Sequence, residues 1–228
     1  MQNKDVIVFD VYGTLFDVHA VIETCEELFP RKGKQISELW RKKQLEYAFL
    51  RQLMGTYEPF SIITKEALHF ACESLGVTIN QESEDKLLNA YNRLKLFDEV
   101  EGVITSIQDR RLAVFSNGPF SMLEPLLEQS ALRNKNIMAL SVDDKKAFKP
   151  TPIAYQWVLS KLNVSREQVL FVSSNTWDIA GAKTFGFETA WVNRQGAVFD
   201  KLGVTPDYII KDLGGLLSLE KGKDTRSY

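Results

Sequence analysis

Val6-Ile7-Val8-Phe9 is a run of four apolar residues that leads straight into Asp10 and then into a turn at Gly13. An unbroken run of β-branched and aromatic residues predicts a strand covered on both faces, as in a parallel sheet. Similar runs at Leu112-Phe115, Ile137-Val142 and Val169-Val172 predict three more strands, and Thr189-Asn193 and Tyr208-Ile210 two further ones. Between Leu15 and Leu112 the pattern is helical instead. Leu39, Trp40, Tyr47, Leu50, Leu53 and Met54 recur at helical spacing among Arg41, Lys42, Lys43 and Glu46, which predicts a helix opening at Ile36-Ser37-Glu38. A second helix is predicted from about Ser61 to Leu75, with Ile63, Ala67, Phe70 and Ala71 on one stripe and Gly76 as its stop, and a third from about Ser83 to Leu96.

From about Glu99 strands and helices alternate. Helices are predicted over Phe120-Gln129, from Pro152 to Leu162 with Thr151 as N-cap, and after Asp178 up to Gly186. The tail beyond Gly214 is polar at its end and is expected to fray. This order predicts an α/β fold: a doubly wound parallel-sheet, Rossmann-like core domain over residues 1–15 and 99–228, with residues 16–98 inserted as a helical cap domain above the strand end that carries Asp10.

Composition narrows the function. The 228 residues are 44% hydrophobic and 25% charged, with a net charge of -2 and a pI near 5.8, so no basic face for nucleic acid is expected. No apolar run reaches membrane-spanning length, so no membrane partner is expected, and the short run after Lys4 and Asp5 is too brief for a signal-peptide core. Cys25 and Cys72 are the only cysteines and show no zinc spacing; reduced thiols in a cytoplasmic protein fit them best.

In a doubly wound sheet the carboxyl ends of the strands share one edge, where ligands bind. Asp10, Thr14, Ser116, Asn117, Lys149, Ser173, Asn175 and Asp178 would converge there. Each has a plainer reading alone: Asp10 as a helix cap, Ser116-Asn117-Gly118 as a turn, Lys149 as a solvated loop cation. The combination is the specific signal. His19 and His69 fall in no ligand or triad pattern and read as structural or surface residues. Lys42 follows Arg41 directly, but adjacent helical residues face about 100° apart, so no site role is assigned to it. Asp143-Asp144-Lys145-Lys146 reads as a solvated loop.

Asp10-Val11-Tyr12-Gly13-Thr14-Leu15, Ser116-Asn117-Gly118, Lys149-Pro150 and Ser173-Ser174-Asn175-Thr176-Trp177-Asp178 together resemble the four motifs of the haloacid dehalogenase superfamily, in its L-2-haloacid dehalogenase branch. Trp40 to Tyr47 and Leu53-Met54-Gly55 resemble the cap-helix signature of that branch. Phosphatases of the superfamily carry a second Asp two residues after the nucleophile and another in the fourth motif that helps hold magnesium. Tyr12 and Ser174 stand at those positions here. A halide leaves without a proton, so a dehalogenase needs no such acid, and without those carboxylates a hard cation loses its ligands.

The resemblance implies an (S)-2-haloacid dehalogenase that hydrolyses short L-2-haloacids to D-2-hydroxy acids through an ester on Asp10, with no metal and no cofactor. A phosphohydrolase or a non-catalytic binding protein on the same fold are the alternatives. Lys149 would hold Asp10 ionised and, with Ser116, receive the substrate carboxylate. By resemblance Arg41 and Asn117 take the departing halide, while Asp178, Asn175 and Thr14 position and activate water. Tyr12, Leu45, Phe60 and Trp177 would wall the alkyl group, with core packing as the plainer reading of these four. Tyr155 and Ser173 complete the expected substrate contacts. The implied partners are a 2-haloalkanoic acid, water, the halide product and a second copy of the chain in a homodimer.

Overall fold

The computed structural model describes residues 4–220. The elements run, in chain order, β1 (Val6–Asp10), β2 (Phe16–Asp17), α1 (His19–Leu28), α2 (Gly33–Met54), α3 (Phe60–Ser74), α4 (Gln81–Ala90), β3 (Lys95–Leu96) and α5 (Val100–Ser106). They continue with β4 (Arg111–Ser116), α6 (Phe120–Glu128), β5 (Ile137–Ser141), α7 (Pro152–Leu162), β6 (Val169–Ser173), α8 (Thr176–Phe185), β7 (Glu188–Val192), β8 (Tyr208–Ile210) and α9 (Gly215–Glu220). Six strands form one parallel sheet in the order β5-β4-β1-β6-β7-β8. β1 therefore lies between β4 and β6, with Asp10 in register with Phe115, and all five of its residues are buried. The continuous apolar pattern of β1 and β6 follows from cover on both faces: Ile7, Phe9, Leu170 and Val172 pack into one core, Val6, Val8, Val169 and Phe171 into the other.

The inserted segment departs from its sequence reading in detail. Four helices lie there rather than three: α1, which buries Val21 and Cys25, precedes the three that the pattern predicts. The α2 stripe is also different. Its buried side chains are Ile36, Ser37, Trp40, Gln44 and Ala48, whereas Leu50, Leu53 and Met54 are exposed. Two polar residues on the packed face and three apolar residues on the open one misdirect a pattern-based reading. α4 ends at Ala90 rather than Leu96, and Lys95–Leu96 pairs antiparallel with Phe16–Asp17. That two-stranded ribbon joins the two chain crossings between core and cap, with Phe97 N–H donating to Leu15 O at 3.0 Å.

Other differences are local. Pro152 opens α7, but the Thr151 hydroxyl donates to Phe148 O at 2.6 Å instead of capping the helix. The 143–146 stretch is no free loop: Val142–Lys145 is a 3-10 turn, and the Tyr57 hydroxyl of the cap donates to Asp143. His69 pairs with Glu84 on the cap surface. Both cysteines are free and buried, and burial pushes the Cys25 thiol up to about 12 and that of Cys72 to about 11. No described helix is long and apolar enough to cross a membrane. The start of the tail is helical, as α9; the polar end expected to fray, beyond Glu220, lies outside the described residues.

Candidate active site

Asp10 ends the central strand and is 5% exposed. Gly13 then turns the chain at φ +82, a conformation costly for other residues, and a Cβ there would sit 3.3 Å from Ser174 Oγ. The turn brings Thr14 back onto the carboxylate it follows. Thr14 Oγ1 donates to Asp10 Oδ2 at 2.8 Å, Asn175 Nδ2 at 2.7 Å and Ser173 Oγ at 3.2 Å. Oδ1 receives Lys149 Nζ, at 2.7 Å. The two carboxylate oxygens thus differ: Oδ2 is saturated with three donors and Oδ1 keeps a free lone pair.

Lys149 is 1% exposed and spends its ammonium hydrogens on Asp10 Oδ1, on Asp178 Oδ2 at 2.6 Å and on Phe115 O at 3.2 Å. Asp178 is 0% exposed, and the Tyr155 hydroxyl donates to its Oδ1 at 2.8 Å. Burial alone would raise the Asp10 pKa, but the charge of Lys149 and the bonds from Lys149, Thr14 and Asn175 outweigh it and hold Asp10 below the usual carboxylate range. Burial would likewise lower Lys149, and the charges of Asp10 and Asp178 raise it instead. Asp178 goes the other way. Burial, helped by the negative charge of Asp10, lifts it to about 6 against the pull of Lys149.

A small cavity between cap and core adjoins this cluster. Asp10, Lys149, Asn175, Ser116, Asn117 and Gly118 line its floor, and Arg41, Leu45 and Phe60 from the cap, with Tyr12 and Trp177, form its walls. Hydrogen-bond polarity orients two floor residues. Ser116 Oγ accepts the Gly118 N–H at 2.9 Å, which leaves its hydroxyl hydrogen available. Asn117 Oδ1 accepts the Lys149 N–H at 2.8 Å, so its Nδ2 points away from that bond. The Trp177 indole N–H is buried without a hydrogen-bond partner among the described residues. A larger apolar cleft of about 810 Å³, between Phe49 and Leu53 of α2 and Ala180 and Thr184 of α8, shares Lys149 and Trp177 with the cavity but holds neither carboxylate.

Most residues singled out from the sequence come together, but four lie behind the cavity rather than in it. Tyr155 makes no wall for substrate: it is fully buried, and its hydroxyl is spent on the carboxylate and carbonyl of Asp178. Ser173 and Thr14 place their hydroxyls on Asp10 Oδ2, as does the Asn175 amide, so in this geometry they hold the carboxylate and not water. Asp178 is screened from the cavity by the Lys149 ammonium.

Two contributors carry no sequence motif. Gly181 lets α8 approach closely, since a Cβ there would lie 2.6 Å from the Tyr155 hydroxyl and 2.4 Å from Pro150 Cβ. Arg194 donates to Gly13 O at 3.1 Å and Thr14 O at 2.9 Å, pairs with Glu99 at 2.7 Å and stacks over Phe97 at 3.7 Å. It ties the Gly13–Thr14 turn to the returning chain crossing. Their only sequence signals are a glycine inside a predicted helix and an arginine just after a strand.

The donor set does not fit a magnesium ion. Among the described residues no group of three or more His, Cys, Asp or Glu side chains is placed to hold a metal, and Lys149 Nζ occupies the space between Asp10 and Asp178. Ser174, at the position of the phosphatase carboxylate, is hydrogen-bonded to Thr14 instead.

Residues 4–186 match the family model described as haloacid dehalogenase-like hydrolase. Haloacetate dehalogenase H-2 of Moraxella sp. (strain B) is 43% identical over 96% of this chain and 99% of its own. The (S)-2-haloacid dehalogenase of Pseudomonas sp. (strain YL) is 42% identical over 93% of each chain. The solved L-2-haloacid dehalogenase of Xanthobacter autotrophicus with chloropropionic acid covalently bound superposes with a TM-score of 0.91 at 35% identity, covering 97% of this chain and 100% of that one.

Proposed function

The chain belongs to the haloacid dehalogenase-like hydrolases, and from that premise we propose that it is an (S)-2-haloacid dehalogenase converting short L-2-haloacids to D-2-hydroxy acids without a metal. The observation that carries this reading is an ionised, buried Asp10 with one oxygen free to attack and no acid two residues on, where Tyr12 stands. Oδ1 attacks C2 from the side opposite the halogen, the carbon–halogen pair leaves on the halide, and C2 inverts. Arg41 and the Asn117 amide receive the halide. The Ser116 hydroxyl holds the substrate carboxylate beside the positive charge of Lys149, while Tyr12, Leu45, Phe60 and Trp177 enclose the alkyl group.

Water then attacks the carbonyl carbon of the Asp10 ester. Thr14, Ser173 and Asn175 already donate to Oδ2, the oxygen on which negative charge develops in this step, and so provide a preset oxyanion site. Once esterified, Asp10 carries no charge to hold the Lys149 ammonium, and its release opens Asp178, the second carboxylate on Lys149, to accept the proton of water. The likeness to a haloacetate dehalogenase supports extending the substrate range to haloacetates.

We set the cap at residues 16–98 and the core at 1–15 and 99–228. We also infer a homodimer joined through α2, supported by exposed Leu50, Leu53 and Met54, and a cytoplasmic site, supported by two buried free thiols. Halide release from L- and D-2-chloropropionate and chloroacetate, with and without a chelator, tests the reaction. Release from the L isomer and from chloroacetate should be unchanged by chelator; consumption of the D isomer, or activity restored only by magnesium, contradicts it.

A further inference from the structure

Gln44 lies in the middle of α2, one turn beyond Arg41, and is fully buried. A buried carboxamide needs partners for its N–H groups and its oxygen, and those partners decide which way it points. Thr64 donates its only hydroxyl hydrogen to Phe60 O at 2.7 Å, so at 2.8 Å from Gln44 Nε2 its oxygen must accept. The amide nitrogen therefore faces Thr64. Gln44 Oε1 faces the other way, accepting from Arg41 Nη1 at 3.2 Å and from the Tyr91 hydroxyl at 3.4 Å. Trp40 secures the arrangement from the same helix: its Nε1 donates to Thr64 O at 2.7 Å and its ring meets Tyr91 edge-on at 5.0 Å.

Arg41 lines the cavity and makes no ion pair among the described residues. A carboxylate at position 44 would neutralise the guanidinium, whereas a neutral carbonyl orients it and leaves its charge for an incoming anion. We propose that Gln44 is a positioning residue for halide departure: its carboxamide oxygen, locked by Thr64 and Tyr91, aims the Arg41 guanidinium at the cavity without neutralising it. The proposal rests on the reading that Arg41 receives the halide. As the Asp10 Oδ1–C2 bond forms, the C2–halogen bond breaks and its electron pair leaves as halide. Chloride, the poorer leaving group, depends more on a well-aimed cation than bromide does.

Single-turnover halide release from chloroacetate and bromoacetate, with enzyme in excess, tests this in wild type, Gln44→Leu, Gln44→Glu and Arg41→Ala, with circular dichroism reporting folding. Gln44→Leu should slow chloride release by roughly 10- to 100-fold, the scale of a small misplacement of a catalytic group, and bromide release by clearly less. The bromide-to-chloride rate ratio therefore rises. Gln44→Glu keeps an acceptor towards Arg41 and the Tyr91 hydroxyl, gives up the bond to Thr64, whose hydrogen is committed to Phe60 O, and pairs the charge; it should raise the same ratio, so it decides the matter if the leucine variant does not fold. A loss of fold quality alone would slow both halides alike. A wild-type ratio in Gln44→Glu or in folded Gln44→Leu, with Arg41→Ala inactive, overturns the role of Gln44 and leaves that of Arg41 standing. Wild-type chloride release by Arg41→Ala overturns both.

Discussion

The Tyr155 hydroxyl lies 2.8 Å from Asp178 Oδ1 and makes that carboxylate, though fully buried, a two-sided one: tyrosine on one oxygen, Lys149 on the other. The tyrosine bond favours the ionised form, in opposition to burial, and the balance leaves Asp178 at about 6, above the ordinary 3.8. Ester hydrolysis needs Asp178 as the carboxylate, so its rate should be full above that value and fall as pH drops through about 6. Removing the bond shifts the balance towards the protonated form. Tyr155→Phe should therefore move the acid limb of the pH–rate profile to higher pH, and a profile identical to wild type would show that the bond does not tune Asp178. The same raised pKa has a stability consequence of known sign: the folded state binds the proton more tightly than the unfolded one, so this group's contribution is present below 3.8 and is lost as pH rises through about 6.

Lys149 is the only cation between two buried carboxylates in this cluster, 2.7 Å from Asp10 and 2.6 Å from Asp178. Lys149→Met should abolish halide release and destabilise the fold by about 3–5 kcal/mol at neutral pH, the usual consequence of leaving buried charge unpaired. The deficit should shrink in acid, where the stranded carboxylates take up protons. Urea unfolding at pH 7 and pH 4.5 checks both the size and the trend; a deficit independent of pH would mean that lost packing, not charge, is responsible.

The sheet was legible from sequence because its strands are covered on both faces. Val6 to Phe9 and Val169 to Val172 are continuous apolar runs with no competing helical period, and the polar residues that end them gather at one edge by topology alone. The cap was less legible. Trp40, Leu39 and Tyr47 of the predicted stripe do pack on the core, but Gln44 and Ser37 sit on the buried face of α2 while Leu50, Leu53 and Met54 do not, so the hydrophobic period misplaces the far end of the helix. Lys95–Leu96 reads as the end of a helix because nothing local announces its pairing with Phe16–Asp17. At the site, the motifs name the groups but not their contacts. Tyr155 is near the cavity in sequence logic and behind Asp178 in space, and Arg194 reaches Gly13 and Thr14 across 180 or more positions.

If Asp178 acts on water while Asp10 alone makes the ester, the two chemical steps should separate in Asp178→Asn. Hydrolysis should slow on the order of 100-fold or more, the usual contribution of a positioned base, and alkylation much less. Intact-protein mass spectrometry after incubation with chloroacetate should then show one added carboxymethyl group, mapped to the peptide containing Asp10. Equal slowing of both steps, with no adduct, would assign Asp178 to keeping Lys149 in place.

The covalent role of Asp10 is tested most directly by a single turnover of wild-type enzyme, in excess over L-2-chloropropionate, in oxygen-18 water. Water attacks the carbonyl carbon of the ester and not C2, so the label should appear in the Asp10 carboxylate, and the lactate formed in that first turnover should carry none. Label in the lactate with Asp10 unlabelled would mean that water attacks C2 itself, and would contradict the assignment of Asp10 as nucleophile.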